Sequence, residues 1–352
     1  MRKFDYSKYK DFTWDSEMLS KISNIYYKKG KIEQLMLQNP LIFEKMIPNT
    51  TSQSVIASNA IEGIVTTNFR FKKLLNDNTL PSNRSEQEIK GYINSHEVIN
   101  DNYKYIEVNK NYILQLHNIL YKEVPQALFG GRFKNVQNYI RGYDNEGNIY
   151  NLFTPLAPYE TPKAIELICN QYNNALEEEN INLLIISLIF ILDFLSIHPF
   201  NDGNGRMIGL LTNLLLYRLG YSIGKYISLE NKINNSKELY YNALYESQKG
   251  WHDGNNNPLL FINYMLEIIE SSYIELDEKV SLLNQDLSAY EMVKRSLSNK
   301  IGRITKTEVI ELLPILSPSS IEKSIHRLVK EEKLEKQGVG KATFYIIKNF
   351  KW

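Results

Sequence analysis

The chain has 352 residues, of which 43% are hydrophobic, and a formal net charge of +1. This length fits two or three domains of about 100–200 residues each. The small net charge argues against a protein coated throughout with nucleic acid or bound to a membrane by charge. The charge is uneven, because residues 295–352 contain 12 Lys and Arg against 6 Asp and Glu, which leaves the rest mildly acidic.

Cys169 is the only cysteine, so neither an intrachain disulfide nor a zinc cluster of thiolates can form. The first residues lack the apolar stretch of a signal peptide. The most apolar segment, 181–197, is interrupted by Asn182, Ser187 and Asp193 and falls short of the ~20 apolar residues of a membrane span. We therefore expect a cytoplasmic protein with no membrane partner, in which this segment is a buried helix.

Before residue 129, the hydrophobic residues follow helical spacing. Pro40 is expected to interrupt the chain after the first, amphipathic helix, and Gly63 marks the end of the second. Helices are predicted over residues 17–37, 51–61, 86–108 and 111–122.

Residues 129–153 have a different pattern. Residues 136–140 alternate loosely and include branched and aromatic side chains, and 149–153 return to that pattern. The Asp144-Asn145-Glu146-Gly147-Asn148 segment between them has strong turn chemistry. We predict a β-hairpin with an overhanging loop, ended by three prolines.

The following segments again indicate helices, and the whole chain is therefore predicted to be mainly α. A helix ending near residue 177 precedes a central pair over 181–196 and 206–219, with a Gly-rich loop between its members. Two more helices are predicted over 236–249 and 258–278.

The last 60 residues or so have the pattern of a separate module. A helix over 305–312, a second helix after the N-cap candidate Ser317, and a hairpin of 334–336 with 343–347 predict a winged helix-turn-helix. The second helix carries Lys323, His326, Arg327 and Lys330. Such a helix could contact DNA, and the module could equally serve protein contacts or dimer packing. The predicted domains are 1–90, 91–278 and 285–352.

The loop 198–206 carries the most distinctive chemistry of the sequence. Gly203 and Gly205 permit positive φ and leave no Cβ in the way, so that their N–H groups and that of Asn204 can point at one place. Arg206 then opens a helix, whose N-terminus is a ready anion site. Its guanidinium adds a charged fork suited to phosphate oxygens.

Two further side chains of this loop predict a reaction at the anion site. Asp202 precedes the glycines, and Mg²⁺ prefers one or two carboxylates together with phosphate oxygens. His198 ends the buried helix and could accept a proton from an incoming hydroxyl. Alone, each of these features is typical of a turn or a helix cap; their fixed order between two apolar helices favours a nucleotide site.

The segment His198-Pro199-Phe200-Asn201-Asp202-Gly203-Asn204-Gly205-Arg206 resembles the motif of Fic proteins, His-Pro-Phe-x-Asp/Glu-Gly-Asn-Gly-Arg-x-x-Arg. The resemblance implies a Fic-type helical core that transfers AMP from ATP to a Ser, Thr or Tyr hydroxyl of a protein. It also implies that His198 is the general base, Asp202 the Mg²⁺ ligand, and 203–206 the phosphate-binding segment.

Three other segments strengthen the resemblance, which covers roughly residues 50–270. Ser58-Asn59-Ala60-Ile61-Glu62-Gly63 is similar to the inhibitory helix of the family, in which Ser58, Glu62 and Gly63 fall on the motif positions. Residues 131–140 resemble the flap that clamps the target by strand addition, with Val136, Gln137 and Asn138 as target-binding residues. Residues 240–250 resemble the segment beside the adenine, which assigns nucleotide contacts to Tyr241 and Gln248.

One position departs from the family pattern. The second arginine of the motif, which in the family holds the γ-phosphate and is captured by the inhibitory glutamate, is Gly209 here. Either ATP is poorly aligned, or the enzyme tolerates a looser γ-phosphate and escapes part of the control by Glu62. The resemblance also implies a homodimer. Two alternatives to AMP transfer stay open, namely removal of AMP from a modified protein and nucleotide sensing coupled to the winged helix.

Overall fold

The structure is a computed structural model that describes residues 2–11, 13–76, 79–143, 149–178, 181–283, 287–298 and 302–348. These residues are mainly helical, as predicted. The helices are α1 (Ser16–Gln38), α2 (Pro40–Ile61), α3 (Asn68–Asn76), α4 (Arg84–Asn102), α5 (Lys110–Tyr121), α6 (Thr161–Glu178), α7 (Leu183–Ile197), α8 (Asn204–Arg218), α9 (Leu229–Asn235), α10 (Lys237–Gln248), α11 (Leu259–Leu283), α12 (Ala289–Ser298), α13 (Lys306–Leu312) and α14 (Pro318–Lys330). The strands are β1 (Ile140–Tyr143), β2 (Ile149–Phe153), β3 (Arg303–Ile304), β4 (Leu334–Gln337) and β5 (Phe344–Ile347).

The chain divides into two compact units. The first unit comprises Met1–Ser23, Ser52–Gly224 and Ser228–Glu270, and the second comprises Asn24–Thr51, Lys225–Ile227 and Ser271–Trp352. These units do not test the domain borders that the sequence predicts near residues 90 and 278–285, so those borders remain predictions.

Helix α7 forms the centre of the first unit. It packs against α6 and α8, and α4 packs against α5 and α8. All of its residues after Leu183 are buried, and the Asn182 side chain caps its N-terminus by accepting from the amides of Leu184 and Ile185. The prediction of a buried core helix here is confirmed.

The one acidic residue of α7, Asp193, is buried in a polar cluster. Its Oδ1 accepts a 2.7 Å hydrogen bond from the indole of Trp251 and lies 3.6 Å from the guanidinium of Arg2. Burial raises the pKa of Asp193, and the charge of Arg2 opposes that shift. Arg2 also donates to the carbonyl of Trp251, so the N-terminal segment is tied to the centre of this unit.

Three helix bounds differ from prediction by five residues or more. The helical run is interrupted at Asn39, directly before Pro40, as predicted, but α2 begins at Pro40, 11 residues before its predicted start at 51. Proline fits this first position because its missing N–H has no intrahelical partner to lose. Helix α11 ends at Leu283, five residues after its predicted end. Helix α4 ends at Asn102, six residues before the predicted end. Helix α2 ends as predicted, because Gly63 takes a positive φ of 73° and the amide of Ile64 returns to the Asn59 carbonyl. Three short helices and a strand have no counterpart in the prediction, namely α3, α9, α12 and β3.

The predicted hairpin is present, but its first strand begins later. Strand β1 starts at Ile140 and pairs antiparallel with β2, whereas 136–139 do not join the ladder. The preceding segment bonds elsewhere: the amide of Lys134 donates to the Pro199 carbonyl, and the Asn138 side chain also binds loop carbonyls. The predicted turn at 144–148 lies outside the described residues.

The C-terminal part of the second unit contains the helix–helix–hairpin order predicted from sequence. Strands β3, β5 and β4 form an antiparallel sheet in that order, and apolar side chains of α12, α13 and α14 share one core with it. Ser317 caps α14 by accepting from the amide of Ser320, as predicted. Its identification as a winged helix remains a prediction.

The basic side chains of α14 are only partly available to a ligand. Arg327 donates to Glu331 at 2.9 Å, and its guanidinium carbon lies 3.8 Å from the centroid of the Tyr290 ring. Lys323 and Lys330 are exposed. The use of this module for DNA therefore remains a prediction that rests on fewer charges than the sequence suggested.

Candidate functional site

The loop between α7 and α8 is shaped by two residues in left-handed conformation. His198 ends α7 with φ 50° and ψ 65°, and its amide still donates to the Phe194 carbonyl at 2.9 Å. Gly203 has φ 81° and precedes α8, which begins at Asn204. Gly203, Asn204 and Gly205 thus line the cavity described below, at the positive end of the helix dipole.

Side chains within the loop hold this shape. The Asn204 side chain bridges the turn, since its Oδ1 accepts from the amide of Phe200 at 2.9 Å and its Nδ2 donates to the Phe200 carbonyl at 2.8 Å. The Phe200 ring is fully buried and stacks on His117 of α5, with centroids 3.7 Å apart and planes 2° apart. Phe200 therefore anchors the loop in the core.

The segment before β1 braces the loop from outside. Asn138 donates to the carbonyls of His198 at 3.3 Å and Phe200 at 3.0 Å. The Lys134 ammonium donates to the Ile197 carbonyl at 2.9 Å and to Asn138 Oδ1 at 3.0 Å. The sequence assigned Asn138 to target binding; the structure shows that its amide also fixes the backbone of the loop.

His117 fixes the backbone on the other side of the loop. Its Nδ1 accepts from the amide of Gly131 at 3.0 Å, which leaves Nε2–H to donate to the Asp202 carbonyl at 3.1 Å. Burial lowers the pKa of His117 to about 4, and this neutral tautomer matches both partners. The Asp202 carboxylate itself accepts from the amide of Gly203 at 2.7 Å, and its other oxygen lies 3.6 Å from Arg84.

A cavity of about 320 Å³ opens over the start of α8. His198, Asp202 and the 203–205 turn line one end of it, and apolar side chains of α7, α10 and α11 form a wall. The carboxylates that line it are those of Glu62, Asp202 and Glu230, and the described lining residues include no lysine or arginine. The described lining therefore offers an anion the backbone of the 203–205 turn and no cationic side chain of Lys or Arg.

Glu62, predicted to be inhibitory, lies at the end of α2 and reaches the loop. A Cβ built on Gly205 would overlap the Glu62 carboxylate, so this carboxylate occupies the space directly above the backbone of the turn. Desolvation raises the pKa of Glu62, while the nearby charges of Arg206 and Lys237 act in the opposite direction. Ser58 also lines the cavity, and Gly63 ends the helix.

Arg206 is 1% exposed and is not among the described residues that line the cavity. Its guanidinium donates to the hydroxyl of Tyr121 at 2.6 Å and lies 2.9 Å from the carboxylate of Glu88. Among the described atoms, Nε and Nη1 have no hydrogen-bond partner, so the side chain retains donors. Phosphate contact by Arg206 remains a prediction, and its position shows a second role as a buried link between α8, α4 and α5.

The environment of His198 keeps its imidazole neutral. Burial lowers its pKa to about 4, the charge of Lys134 adds to this shift, and the Leu195 carbonyl opposes it. Burial also lowers the pKa of Lys134 to about 8. At neutral pH His198 is therefore unprotonated, which is the state that a general base requires.

The two predicted nucleotide contacts on α10 have different surroundings. Tyr241 lines the cavity and is 43% exposed, and burial of its hydroxyl raises its pKa, with Glu62 contributing. Gln248 is buried and donates to the Ser196 hydroxyl at 3.1 Å, away from the described cavity lining. The structure thus brings Tyr241, but not Gln248, to the cavity.

Sequence reasoning missed three residues at this site. His117 stands in no motif, and Lys134 lies in the flap segment without an assigned role, so that only the three-dimensional contact with the loop reveals them. Glu230 is 3% exposed and follows Ser228, which caps α9. A Ser-x-Glu at the start of a helix normally predicts an exposed capping residue, so the sequence carried no signal for its burial.

Two features are absent from the described residues. None of the helices there has the length and apolar character that a membrane crossing requires. Within the same ranges, no group of three or more His, Cys, Asp and Glu side chains is arranged to hold a metal ion.

Comparison with known proteins gives a consistent assignment. Residues 107–216 match the model of the Fic/DOC family. The chain is 37% identical over 98 residues to a probable protein adenylyltransferase of Aquifex aeolicus, and the matched residues make up 28% of this chain and 27% of that protein. It is 30% identical over 119 residues to the protein adenylyltransferase Fic of Drosophila grimshawi, and these residues make up 33% of this chain and 22% of that protein.

A solved Fic family protein of Desulfovibrio desulfuricans has a similar architecture, with a TM-score of 0.59 and 20% identity over 97% of this chain and 98% of that one. The chain spans only about a quarter of the length of either curated relative. The helical fold built around α7, α8 and the loop between them is the Fic fold.

Proposed function

We propose that the protein transfers AMP from ATP to a hydroxyl group of a protein, at the loop between α7 and α8. The observation that carries the proposal is the position of His198 beside the turn 203–205, with both lining one cavity. The names of the relatives, which are protein adenylyltransferases, support the same reaction.

The reaction assigns one role to each part of the loop. The amides at the start of α8 bind phosphate oxygens, and the free Nε and Nη1 of Arg206 supply two further donors. The acceptor hydroxyl attacks the α-phosphorus and its proton passes to the neutral imidazole of His198. The bond between the α-phosphorus and the bridging oxygen breaks, and pyrophosphate leaves. Preorganised donors lower the barrier because they cost no reorganisation during the step.

Mg²⁺ would be held by Asp202. Its side chain is 45% exposed, and one of its oxygens is engaged by the Gly203 amide while the other is only 3.6 Å from an exposed arginine. A single carboxylate fits Mg²⁺, which keeps several waters and takes its other ligands from phosphates. When bound, the ion would neutralise phosphate charge.

We further propose that Glu62 inhibits the site by occupying it. In a Fic protein with both arginines the inhibitory glutamate pairs with the second one, which this chain lacks at Gly209. Here the carboxylate lies over Gly205, in the space that phosphate oxygens would need. Lys237 holds the end of α2 in this place by donating to the Ile61 carbonyl at 2.9 Å.

The target is proposed to bind along the hairpin of β1 and β2. Within the described residues this sheet has two strands, so each has an edge without a strand partner there, and an extended peptide can pair with such an edge. Val136 and Tyr139 are exposed beside it, and Tyr139 also lines the cavity. A peptide there would bring its hydroxyl to the side of the cavity that His198 lines.

The direct test uses ATP labelled at the α-phosphate. We expect label on protein, and a mass increase of about 329 Da, which is that of an added AMP. The label should increase in Glu62→Gly and vanish in Glu62→Gly combined with His198→Ala. Absence of label from both wild type and Glu62→Gly would refute AMP transfer. Release of free AMP from a modified protein would instead favour the reverse reaction.

A further inference from the structure

Gly209, Thr212, Asn213 and Glu230 all line the cavity, and we call the part that they form the polar recess. A Cβ built on Gly209 would lie 3.2 Å from the Tyr92 hydroxyl and 3.5 Å from an oxygen of Glu230, so these two groups stand directly beside the glycine. The rise of an α-helix places Gly209 about 6 Å along α8 from Gly205, within reach of a ligand whose phosphates occupy the turn.

Glu230 is the chemical centre of this recess. It is 3% exposed, and its described hydrogen-bond donors are all neutral: the Asn213 amide at 2.7 Å, the Ser228 hydroxyl at 3.2 Å and the Tyr92 hydroxyl at 3.4 Å. A buried carboxylate is strongly unfavourable without compensation by a cation or further donors. It repels a phosphate group and attracts a group that donates hydrogen bonds.

The motif resemblance puts the terminal phosphate of ATP at residue 209, which belongs to this recess. In place of the guanidinium expected there, this chain has no side chain at Gly209 and a buried carboxylate next to it. No lysine or arginine is among the described residues of the lining. The recess is therefore unsuited to a γ-phosphate.

We infer that this recess binds a hydrogen-bond-donating organic group attached to the terminal phosphate of a nucleoside diphosphate, and that such a conjugate is preferred over a nucleoside triphosphate. The inference rests on the proposed AMP transfer. The target hydroxyl still attacks the α-phosphorus and its proton still passes to His198. The bond from the α-phosphorus to the bridging oxygen breaks, and the leaving group is the phosphate monoester of the organic group instead of pyrophosphate.

The test compares ADP-glucose with ATP, which share the ADP part and differ in the terminal group. Binding is measured by calorimetry with Mg²⁺ in a Glu62→Gly, His198→Ala background, so that the turn is cleared and no turnover occurs. We expect ADP-glucose to bind more tightly than ATP. Glu230→Gln should shift the ratio of the two dissociation constants towards ATP by about tenfold or more, because it removes the charge that repels the γ-phosphate.

Two further variants keep the test decisive. Glu246→Gln changes the net charge equally at a residue outside the cavity lining, and it should leave the ratio unchanged. If Glu230→Gln does not fold, Gly209→Arg places a guanidinium in the recess and should favour ATP. The inference would be overturned if ATP bound more tightly than ADP-glucose and if Glu230→Gln changed the ratio of their two dissociation constants by less than about twofold.

Failure of this inference differs from failure of the proposed function. If AMP transfer itself were wrong, neither donor would leave AMP on protein in the Glu62→Gly enzyme, whatever the binding constants. If only the recess were misassigned, AMP would still be transferred from ATP, and the binding ratio would be independent of Glu230.

Discussion

Removal of the Glu88 charge should destabilise the first unit far more than the loss of an ordinary ion pair. Glu88 and Arg206 are 6% and 1% exposed, and their charged atoms are 2.9 Å apart. Glu88→Gln preserves shape but removes the carboxylate that contacts the buried guanidinium of Arg206, which keeps its hydrogen bond to the neutral hydroxyl of Tyr121. Breaking one side of a buried pair costs about 3–5 kcal/mol, so we expect a loss of that size in the free energy of unfolding.

The chain offers a matched control for this measurement. Arg84 donates to the other oxygen of Glu88 at 2.7 Å but is 62% exposed, so that Arg84→Gln should cost no more than about 1 kcal/mol. Urea unfolding can be followed by the fluorescence of Trp251, which is buried in the same unit. Glu88→Gln combined with Arg206→Gln should cost less than the sum of the two single changes, because neither charge is then left alone.

Equal effects of Glu88→Gln and Arg84→Gln would refute this reasoning. It would mean that the guanidinium of Arg206 is solvated or compensated in a way that the 1% exposure does not permit. Transfer of AMP by the same variants, measured where they are folded, separates the structural role of Arg206 from phosphate binding.

Three other predictions concern the site. Glu62→Gly should raise the rate of AMP transfer. Glu62→Gln should raise it much less, because the amide keeps the volume above Gly205. An equal increase in the two variants would show that the charge of Glu62, and not its occupancy of the site, inhibits AMP transfer. The rate of AMP transfer by the Glu62→Gly enzyme should be independent of pH from about 8 to 5 and decrease below pH 5, since burial lowers the pKa of His198 to about 4. A decrease centred near pH 6.5, the ordinary pKa of histidine, would contradict the described burial of the imidazole. Between pH 6.5 and 4 the unfolded state binds a proton at His117 that the folded state does not. The free energy of unfolding should therefore decrease by about 3 kcal/mol from this group as the pH is lowered from 6.5 to 4. Urea unfolding of His117→Asn across this range should show a correspondingly weaker pH dependence.

The helical core and its loop could be predicted because local rules determine them. The long apolar run of α7, the glycines of the turn and the Gly63 stop each act within a few residues of sequence. Short helices such as α3 and α9 escaped prediction, since they depend on packing more than on their own periodicity.

The bracing of the loop could not be predicted, because it joins residues far apart in the sequence. Asn138 reaches carbonyls 60 and 62 residues away, and His117 reaches one 85 residues away. The late start of β1 has a similar origin, since the segment before it is held on the loop by the Lys134 amide and the Asn138 side chain. The burial of Glu230 is likewise a product of the tertiary fold.

The contacts of Asn138 have a thermodynamic consequence. The same short segment leads directly into β1 and donates to two carbonyls of the loop, so the proposed peptide edge and the proposed phosphate turn share one support. If a bound peptide favours the conformation in which these bonds form, it raises the affinity for nucleotide, and linkage requires nucleotide to raise the affinity for peptide by the same factor. The order in which the two substrates bind then depends on their concentrations, whereas the coupling between their affinities is the same for either order.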